Sequence, residues 1–260
     1  MRNKDLWVPT KYVQRCGKLT ASPDRKQVGV GSRVMASLIA ACFDAYLRQY
    51  ARGRLIDLGC GTVPLYAAYE PFITENVCVD WGGTTHSSLY VDQECDLAGD
   101  LPFANCDFDT IILSDVLEHI PQPEGLWREM ARILAPGGRV LLSVPFLYWV
   151  HEAPHDYYRY TEFALRRFAH QVGLKILVLR PLGGAPEVLA DVLAKNLLMY
   201  LPVVGKWCAA AIQGGTRALV GTRLGRRLSD GTAAAFPIGY FLVAEKPDTV
   251  TSAAAPQPVR

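Results

Sequence analysis

The sequence predicts an α/β fold in which a mostly parallel sheet is covered by helices on both faces. Short apolar segments of strand length alternate with longer segments whose apolar residues recur at helical spacing, which is the pattern of parallel strands joined by crossover helices. The first strand, 54–58, runs directly into a glycine turn, as strands do at the ligand-binding edge of such sheets. A chain of 260 residues is long enough for one such domain with an insertion.

The predicted elements follow one another in a regular order. Residues 1–31 are polar and basic and predict an irregular segment, after which Ser32 is the expected N-cap of a helix that reaches about Tyr50. Pro123 begins a second helix, and Thr161 caps a third. The strands between the helices are predicted at 54–58, 76–80, 109–113, 139–145 and 175–179.

Residues 183–235 interrupt this alternation and predict a helical insertion. The segment is rich in Leu, Ala, Val and Gly, and six basic residues stand against two acids between Glu187 and Arg227. A last strand is expected at 236–246, and the Ala- and Pro-rich tail at 247–260 is expected to be disordered. The apolar residues of the insertion that recur at helical spacing are Val188, Leu189, Val192, Leu193, Leu197, Leu198 and Leu201.

The composition argues against several classes of protein. A formal charge of +2 at pH 7 does not predict a nucleic-acid partner. The seven cysteines are scattered and form no C-x-x-C pair, so neither a disulfide framework nor a zinc site is indicated. The first residues lack the apolar core of a signal peptide, and a reducing cytoplasm is the expected location.

The glycine turn after the first strand indicates the kind of cofactor. Gly59 and Gly61 let the backbone turn sharply and approach a ligand, and Asp57 stands just before them. A loop that binds pyrophosphate needs backbone N–H groups and no nearby anion, whereas a carboxylate suits the ammonium and sulfonium of S-adenosylmethionine. Asp80 ends the next strand about 20 residues after the turn, the spacing at which an acid reaches a ribose diol.

Four motifs give the chain a family resemblance. Residues 50 to 180 resemble the class I S-adenosylmethionine-dependent methyltransferases in the order and spacing of "DLGCG", "CDLAGDLPF", "FDTIILSDVLEHI" and "LAPGGRVLLSVPF". The resemblance implies a Rossmann-like sheet of seven strands with the last strand antiparallel, a cofactor-binding core at 32–182, and an insertion before the last strand. One departure is that the family commonly has a third glycine near Val63 or Pro64, where this chain has none.

The resemblance assigns roles to the residues of the cofactor site. Asp57 would hold the methionine ammonium, and Asp80 would accept hydrogen bonds from the ribose hydroxyls. Asp96 would accept from the adenine amino group, although a surface or cap role is the alternative for each acid. Trp81 would stack near the adenine, unless it serves only in packing. The full implied set is Asp57, Gly59, Gly61, Asp80, Trp81, Asp96, Leu97 and Ser114.

The acceptor side is predicted from two segments. Asp115 and His119 lie about one helical turn apart after the fourth strand, and His119 has a pKa range suited to proton transfer. A loop-ordering Asp115 and a structural His119 are the alternatives. The polar and aromatic segment 148–160 supplies His155 as a third catalytic candidate. Its expected substrate-binding residues are His151, Tyr157, Tyr158 and Arg159, the last as a clamp for phosphate or carboxylate.

No metal site is predicted, because the ligands and spacing of His151, His155 and Asp156 are not diagnostic of one. The expected function is O-methylation of a hydroxylated small molecule or lipid-linked saccharide. The saccharide is implied by "PFLYWVHEAPHDYYRYT" and "GGAPEVLAD", which resemble methyltransferases of bacterial surface-polysaccharide synthesis. A non-catalytic scaffold is the main alternative. Pro64 and Asp57 argue against a nicotinamide-dependent dehydrogenase.

The insertion leaves two interpretations open. It is either a lid that buries its apolar residues against the core or a second subunit, or an amphipathic element that lies on the inner face of a membrane through residues 183–228. The uncharged run 196–205 is about half of the roughly 20 residues that a membrane span requires, so an integral membrane protein is not expected.

Overall fold

The computed structural model describes residues 1–83, 88–201 and 203–248, and residues 249–260 of the predicted tail lie outside them. The strands are β1 Tyr12–Arg15, β2 Lys18–Ala21, β3 Arg54–Leu58, β4 Glu75–Asp80, β5 Gln93–Glu94, β6 Phe108–Ser114, β7 Leu134–Pro145, β8 Lys175–Leu182 and β9 Gly239–Glu245. The α-helices are α1 Arg33–Tyr50, α2 Tyr66–Tyr69, α3 Pro123–Ile133, α4 Glu162–Gln171, α5 Ala185–Tyr200, α6 Val204–Gly221 and α7 Arg223–Thr232.

Seven of these strands form the main sheet in the order β5-β4-β3-β6-β7-β9-β8. The first five of that order run parallel, and β9 lies antiparallel between β7 and β8. The predicted fold class is therefore confirmed, including the antiparallel last strand. Strand order reverses between β3 and β6, and ligands bind outside the carboxyl ends of strands at such a point.

The sheet separates two apolar cores. Central strands are apolar on both faces, since helices cover both, and every residue of β9 except the last is buried. One core lies under α1, where the rings of Phe43 and Phe241 meet edge to face at 5.0 Å between centroids. The other lies under α3 and α4, where the rings of Trp127 and Phe168 stack at 6.0 Å.

The first long helix is part of this packing. The segment Val30–Tyr50 is the single helix of the described chain that is long and apolar enough to cross a membrane by length and composition, but 56% of its apolar window is buried inside the protein. Ser32 stands at its N-terminus as predicted, although its side chain makes no capping hydrogen bond. The Ser32 hydroxyl instead lies 2.9 Å from the Tyr148 hydroxyl.

The prediction that residues 1–31 are irregular is wrong for part of the segment. Strands β1 and β2 form a hairpin around Cys16 and Gly17, whose φ angles of 49° and 72° are those of a two-residue primed turn. Tyr12 and Leu19 are buried and attach the hairpin to the core under α1. Each strand is only four residues long, too short to show a clear alternation in sequence, and Cys-Gly is not a common hairpin signal.

The insertion is helical, as predicted, but its apolar residues do not form a buried stripe. On α5 the buried face carries Glu187, Asp191 and Lys195, whereas Leu189 and Leu193 are 68% and 51% exposed. Val192 and Leu201 are also exposed, and Val188, Leu197 and Leu198 are half-buried. The lid interpretation in which these residues are buried against the core is therefore wrong. The polar face turns inward because each of its charged groups has a partner there.

We predict that Glu187→Ala destabilises the junction between the core and the insertion by about 2 kcal/mol. One carboxylate oxygen of this buried residue accepts from the Gly184 N–H at 2.9 Å, and the other accepts from the Ser229 hydroxyl at 2.7 Å. Alanine leaves both donors without a partner, and each buried donor left unsatisfied costs about 1–3 kcal/mol of folding free energy. The free energy of unfolding in urea measures the loss. Glu187→Gln keeps an acceptor and should lose less than half as much; equal losses would contradict the hydrogen-bond explanation.

Candidate active site

The glycine turn after β3 is held against the neighbouring strand. The N–H groups of Gly59 and Cys60 both donate to the Val79 carbonyl, at 2.8 and 3.0 Å. Gly59 has a φ of 71°, and a Cβ there would lie 2.5 Å from a methyl carbon of Val116. Glycine is therefore required at this position by backbone conformation and by space alike.

The missing third glycine of the family corresponds to a strained valine. Val63 has a φ of 53°, which β-branched residues rarely adopt, and its side chain is fully buried. The N-terminal segment supports this conformation, since the Trp7 indole donates to the Val63 carbonyl at 3.1 Å. The hydroxyls of Thr10 and Thr62 lie 3.0 Å apart beside it. The turn thus keeps a left-handed residue, held by contacts that sequence inspection did not identify.

Two buried acids lie at the carboxyl ends of β3 and β4. Burial and the nearby Asp80 raise the pKa of Asp57 to about 7. The Asp80 carboxylate accepts from the N–H groups of Gly61 and Trp81, at 2.8 and 2.9 Å. A positively charged ligand would favour the ionised form of both acids, so this pair fits the ammonium and sulfonium of S-adenosylmethionine better than a pyrophosphate.

The remaining predicted cofactor residues differ in their surroundings. Trp81 is 42% exposed next to Asp80, and Leu97 is buried in the core under α3. Asp96 is exposed, and its carboxylate accepts a hydrogen bond from the Ala98 N–H at 2.9 Å. This contact is the surface or cap role that the sequence analysis gave as the alternative to adenine binding. At the end of β6, the Ser114 hydroxyl lies 3.3 Å from that of Ser143.

Asp115 is held by two partners and has a φ of 54°. One carboxylate oxygen accepts from the Ser143 hydroxyl at 2.8 Å, and the other accepts from the Lys11 ammonium at 3.1 Å. Burial alone would lower the pKa of Lys11, but Tyr12 and Asp115 raise it, so the lysine is cationic at neutral pH. These contacts favour the loop-ordering role of Asp115 and tie the N-terminal segment to the edge of the sheet.

The structure contradicts the prediction that Arg159 clamps a substrate. Its guanidinium binds the Asp156 carboxylate through two hydrogen bonds of 2.6 and 2.7 Å. Its remaining N–H groups donate to the carbonyls of Tyr148, Trp149 and Tyr158. Against the effect of burial, Arg159 and the His151 N–H lower the pKa of Asp156 to about 2, so the pair stays ionised. All five donors are engaged within the loop, which this pair holds together.

The three predicted histidines separate into two groups. His119 and His151 meet edge to face at 4.9 Å between ring centroids, and the His119 Nδ1 lies 2.8 Å from the His155 carbonyl. The exposed His155 ring points elsewhere: its centroid lies 5.3 Å from that of Trp81, and its Nδ1 lies 3.3 Å from the Tyr157 hydroxyl. The structure therefore places His155 beside the cofactor residues.

Tyr157 and Tyr158 lie side by side on the same loop. Both backbone N–H groups donate to the Glu118 carbonyl, at 2.9 and 3.3 Å, and the Tyr158 hydroxyl donates to the Pro121 carbonyl at 3.0 Å. The two side chains are 45% and 40% exposed. Their rings are open to a ligand, while their backbone is fixed.

Sequence inspection did not single out Glu118. The side chain is fully buried, and neither carboxylate oxygen has a hydrogen-bond partner among the described residues. Burial and the nearby Asp115 raise its pKa well above the ordinary range. The neighbouring His119 could have drawn attention to Glu118. A Glu-His pair after a strand does not show in the sequence, however, that the glutamate side chain is buried.

A mainly apolar cavity of about 380 Å³ lies between the loop after β7 and α5. Lys195 reaches it from α5, where its ammonium lies 2.6 Å from an Asp191 carboxylate oxygen and 3.3 Å from the Tyr148 ring centroid. Burial lowers the pKa of Lys195 to about 8, against the opposite effect of Asp191. The other lining residues are Phe146, Leu147, Trp149, Val188, Val192, Asn196 and Met199.

This fold and acid-lined turn correspond to a known family. A family model described as a methyltransferase domain matches residues 30–179, and the chain belongs to that family of class I S-adenosylmethionine-dependent methyltransferases. S-adenosylmethionine is its cofactor. Asp57 and Asp80 remain the residues predicted to bind the methionine and ribose ends of this molecule, respectively.

Curated relatives and solved structures agree with this assignment. A ubiquinone biosynthesis O-methyltransferase of Chromobacterium violaceum is 30% identical over 180 residues, which cover 56% of this chain and 76% of that protein. The protein of the same name from Xanthomonas oryzae is 29% identical over 103 residues, which cover 36% of this chain and 43% of that protein. The chain thus matches less than half the length of the second relative.

Two solved structures share the fold. Geranyl diphosphate methyltransferase in complex with S-adenosylmethionine has a TM-score of 0.51 at 14% identity, with 86% of this chain and 93% of that chain covered. The [4+2]-cyclase SpnF has a TM-score of 0.52 at 18% identity, with 93% and 88% covered. Identities this low show the fold alone, and the cyclase shows that the fold does not determine the reaction.

We predict that Asp57→Asn stabilises the unliganded protein above neutral pH while weakening cofactor binding. The folded-state pKa of about 7 lies above the ordinary 3.8, so the folded state binds the proton more tightly than the unfolded state. Stability therefore falls as the pH rises from about 4 to about 7. A tenfold change in proton affinity is worth about 1.4 kcal/mol, so removing the charge should add roughly 2–4 kcal/mol at pH 8.

Urea unfolding at pH 5 and pH 8 checks this prediction, together with calorimetric titration with S-adenosylmethionine at pH 8. The gain should be less than half as large at pH 5, where Asp57 keeps its proton in the folded state and only the unfolded chain has lost it. The variant should bind the cofactor at least tenfold more weakly at pH 8. A variant no more stable than wild type at pH 8 would show that the buried carboxyl is compensated by another group.

Proposed function

We propose that this protein transfers a methyl group from S-adenosylmethionine to a hydroxyl oxygen of an acceptor held by the loop at 148–160. The observation that carries the proposal is the 5.3 Å approach of the His155 and Trp81 rings, because Trp81 directly follows the cofactor acid Asp80. This contact joins the loop to the carboxyl end of β4. The O-methyltransferase names of the curated relatives support the choice of an oxygen acceptor.

Bound S-adenosylmethionine supplies an electrophilic methyl group on a sulfonium. We assign the remaining tasks to residues of this chain. Asp57 balances the positive charge of the cofactor, and His155 accepts the proton that the acceptor hydroxyl loses. The Tyr157 hydroxyl, 3.3 Å from His155 Nδ1, accepts the N–H of that nitrogen and leaves Nε2 to take the proton. The ring of Tyr158 provides an exposed surface for the acceptor.

The acceptor in this proposal carries an apolar portion as well as a hydroxyl. The cavity between the loop and α5 is mainly apolar, and the charged residues at its wall, Lys195 and Asp191, are paired with each other. A hydrophobic chain would fill the cavity. A lipid-linked saccharide combines these features with hydroxyl groups, and the resemblance of the loop to polysaccharide-modifying methyltransferases supports the saccharide.

The alternative is a protein that binds S-adenosylmethionine without transferring its methyl group. A [4+2]-cyclase has the same fold, so the fold by itself does not require methyl transfer. The two functions differ in whether label from S-adenosyl-[methyl-¹⁴C]methionine reaches any acceptor. Suitable acceptors for the assay are polyprenyl-linked saccharides and ring-hydroxylated aromatic compounds with apolar tails.

We predict that His155→Ala lowers turnover at least a hundredfold while changing the affinity for S-adenosylmethionine less than threefold. A positioned general base contributes roughly 10²–10⁴-fold to the rate, and His155 contributes no contact to the acid pair itself. Turnover is measured with saturating acceptor, and affinity by calorimetry. His170→Ala removes an exposed histidine of α4 and is the matched control. Normal turnover of His155→Ala would assign the loop a structural role.

We further propose that this protein is a cytoplasmic enzyme whose α5 and α6 contact an anionic membrane surface. Leu189, Leu193 and Trp207 are exposed on these helices, and soluble monomers rarely leave a large apolar surface uncovered. Lys206 and Arg217 are exposed on α6. Basic groups near an anionic surface add about 1 kcal/mol each to binding. Such contact would bring the enzyme to an acceptor with a lipid portion.

We predict that the protein co-sediments with phosphatidylglycerol vesicles at low salt and is released at high salt, because screening removes the charge contribution. Replacing Leu189, Leu193 and Trp207 together with serine should abolish sedimentation in a protein that still folds. The control is Phe163→Ser, which removes a 73% exposed aromatic side chain from α4. If wild-type protein does not bind at low salt, light scattering should instead detect a dimer that covers this surface.

A further inference from the structure

The buried carboxylate of Glu118 accepts no hydrogen bond from the described residues, whereas the buried carboxylate of Glu187 accepts two. The Glu118 side chain is fully buried. Buried polar groups are normally hydrogen-bonded, so a carboxylate with neither oxygen paired calls for an explanation such as a water, an ion or a catalytic role. The second buried acid of this region, Asp156, is by contrast fully paired with Arg159.

Two histidines direct ring nitrogens at this carboxylate. His119 Nε2 lies 3.7 Å from Glu118 Oε1, and His151 Nε2 lies 3.8 Å from the same oxygen. The three ligand atoms all lie within 4.8 Å of one another. Ligands about 2.1 Å from a common tetrahedral ion are about 3.4 Å apart, so small side-chain rotations would bring this set onto one cation.

The second ring nitrogen of each histidine is held by a hydrogen-bond acceptor. His119 Nδ1 lies 2.8 Å from the His155 carbonyl, which can only accept, so in the neutral ring Nε2 is the nitrogen with a free lone pair. His151 Nδ1 lies 3.3 Å from the Trp149 carbonyl oxygen and also 3.3 Å from an Asp156 carboxylate oxygen, which accepts from the His151 backbone N–H at 2.8 Å. Carbonyl and carboxylate partners of this kind orient the histidine ligands of metal ions and select the tautomer that binds. Arg159, through Asp156, thus fixes His151 indirectly.

We propose that Glu118, His119 and His151 form a binding site for one divalent cation of the zinc class. Two imidazoles and one carboxylate are the ligand set of catalytic zinc sites that leave a fourth position open. The cation would neutralise the buried carboxylate, which accounts for an acid at this position. The partly exposed histidines and the 60% exposed Glu152, whose carboxylate lies 3.9 Å from His119 Nε2, mark the side from which the ion enters.

The cation site stands apart from the methyl-transfer proposal. Its ligands come from the segment after β6 and from the loop that carries His155, so a bound ion would cross-link the two segments. An occupied site would hold the acceptor loop in place even if the reaction were not methyl transfer. The test therefore uses neither S-adenosylmethionine nor an acceptor.

The experiment is calorimetric titration of chelator-stripped, reduced protein with zinc chloride and, separately, manganese chloride. We expect one zinc ion per chain, and at least tenfold weaker binding in Glu118→Gln, His119→Ala and His151→Ala. His170→Ala should bind as wild type, because the exposed His170 lies outside the cluster. Thermal unfolding of wild type should shift upward with zinc, and that of Glu118→Gln should not.

Cobalt substitution of the wild-type protein gives a measurement that does not depend on any variant folding. A site of two nitrogens and one carboxylate gives weak visible bands without a thiolate-to-cobalt charge-transfer band. The exposed Cys16 and Cys106 are competing ligands, and a charge-transfer band would place the ion on cysteine. Such a band, failure of wild type to take up one ion, or wild-type affinity in Glu118→Gln would each overturn the proposal.

Discussion

The attachment of the glycine turn to β4 is the interaction on which the cofactor end of the sheet depends. Two successive N–H groups share the Val79 carbonyl, and a third donates to Asp80. These bonds set the direction in which the turn leaves β3 and keep Asp80 beside Asp57. The close approach of Val116 to Gly59 then brings the segment after β6 against the same turn. The acid pair, the turn and the β6 segment therefore form one unit.

Three of the six non-glycine residues with positive φ in the described chain lie at this edge of the sheet. They are Val63 in the turn, Asp115 after β6 and Glu152 in the acceptor loop. Such conformations persist only where surrounding contacts hold them. The N-terminal segment provides two of those contacts, through Trp7 to Val63 and Lys11 to Asp115. A segment outside the family-matched region thus completes the site.

The buried acids of the site differ in whether a positively charged group lies next to them. Asp191 and Lys195 neutralise each other within α5, and Asp156 is neutralised by Arg159. Asp57 has another acid for a neighbour, which disfavours its own ionisation and favours a positively charged ligand. Burying a charge without compensation is unfavourable, so a net negative pocket is consistent with a cationic cofactor. The electrostatics of the acid pair and the charge of the cofactor agree.

Local patterns in the sequence were enough to predict the architecture of the sheet and the position of the glycine turn. Helical and strand periodicity depend on near neighbours, and the observed bounds of β3, β4 and β6 differ from the predicted ones by no more than one residue. The glycine turn, with Asp57 before it and Asp80 at the next strand end, could likewise be identified from spacing. The family match agrees with that reasoning, and the antiparallel last strand agrees with what the family resemblance implied.

Only the tertiary structure decided which polar groups are buried and what they bind. The sequence suggests that Arg159 is free to bind a substrate, but in the structure its N–H groups donate to acceptors in its own loop. The sequence likewise gives no sign that the side chain of Glu118 is fully buried. The sequence could not show that the apolar residues of α5 are exposed. Their periodicity identifies an apolar face of the helix, but it does not show whether that face contacts the core or the solvent. Burial and pairing depend on elements distant in sequence, and these come together only in the folded chain.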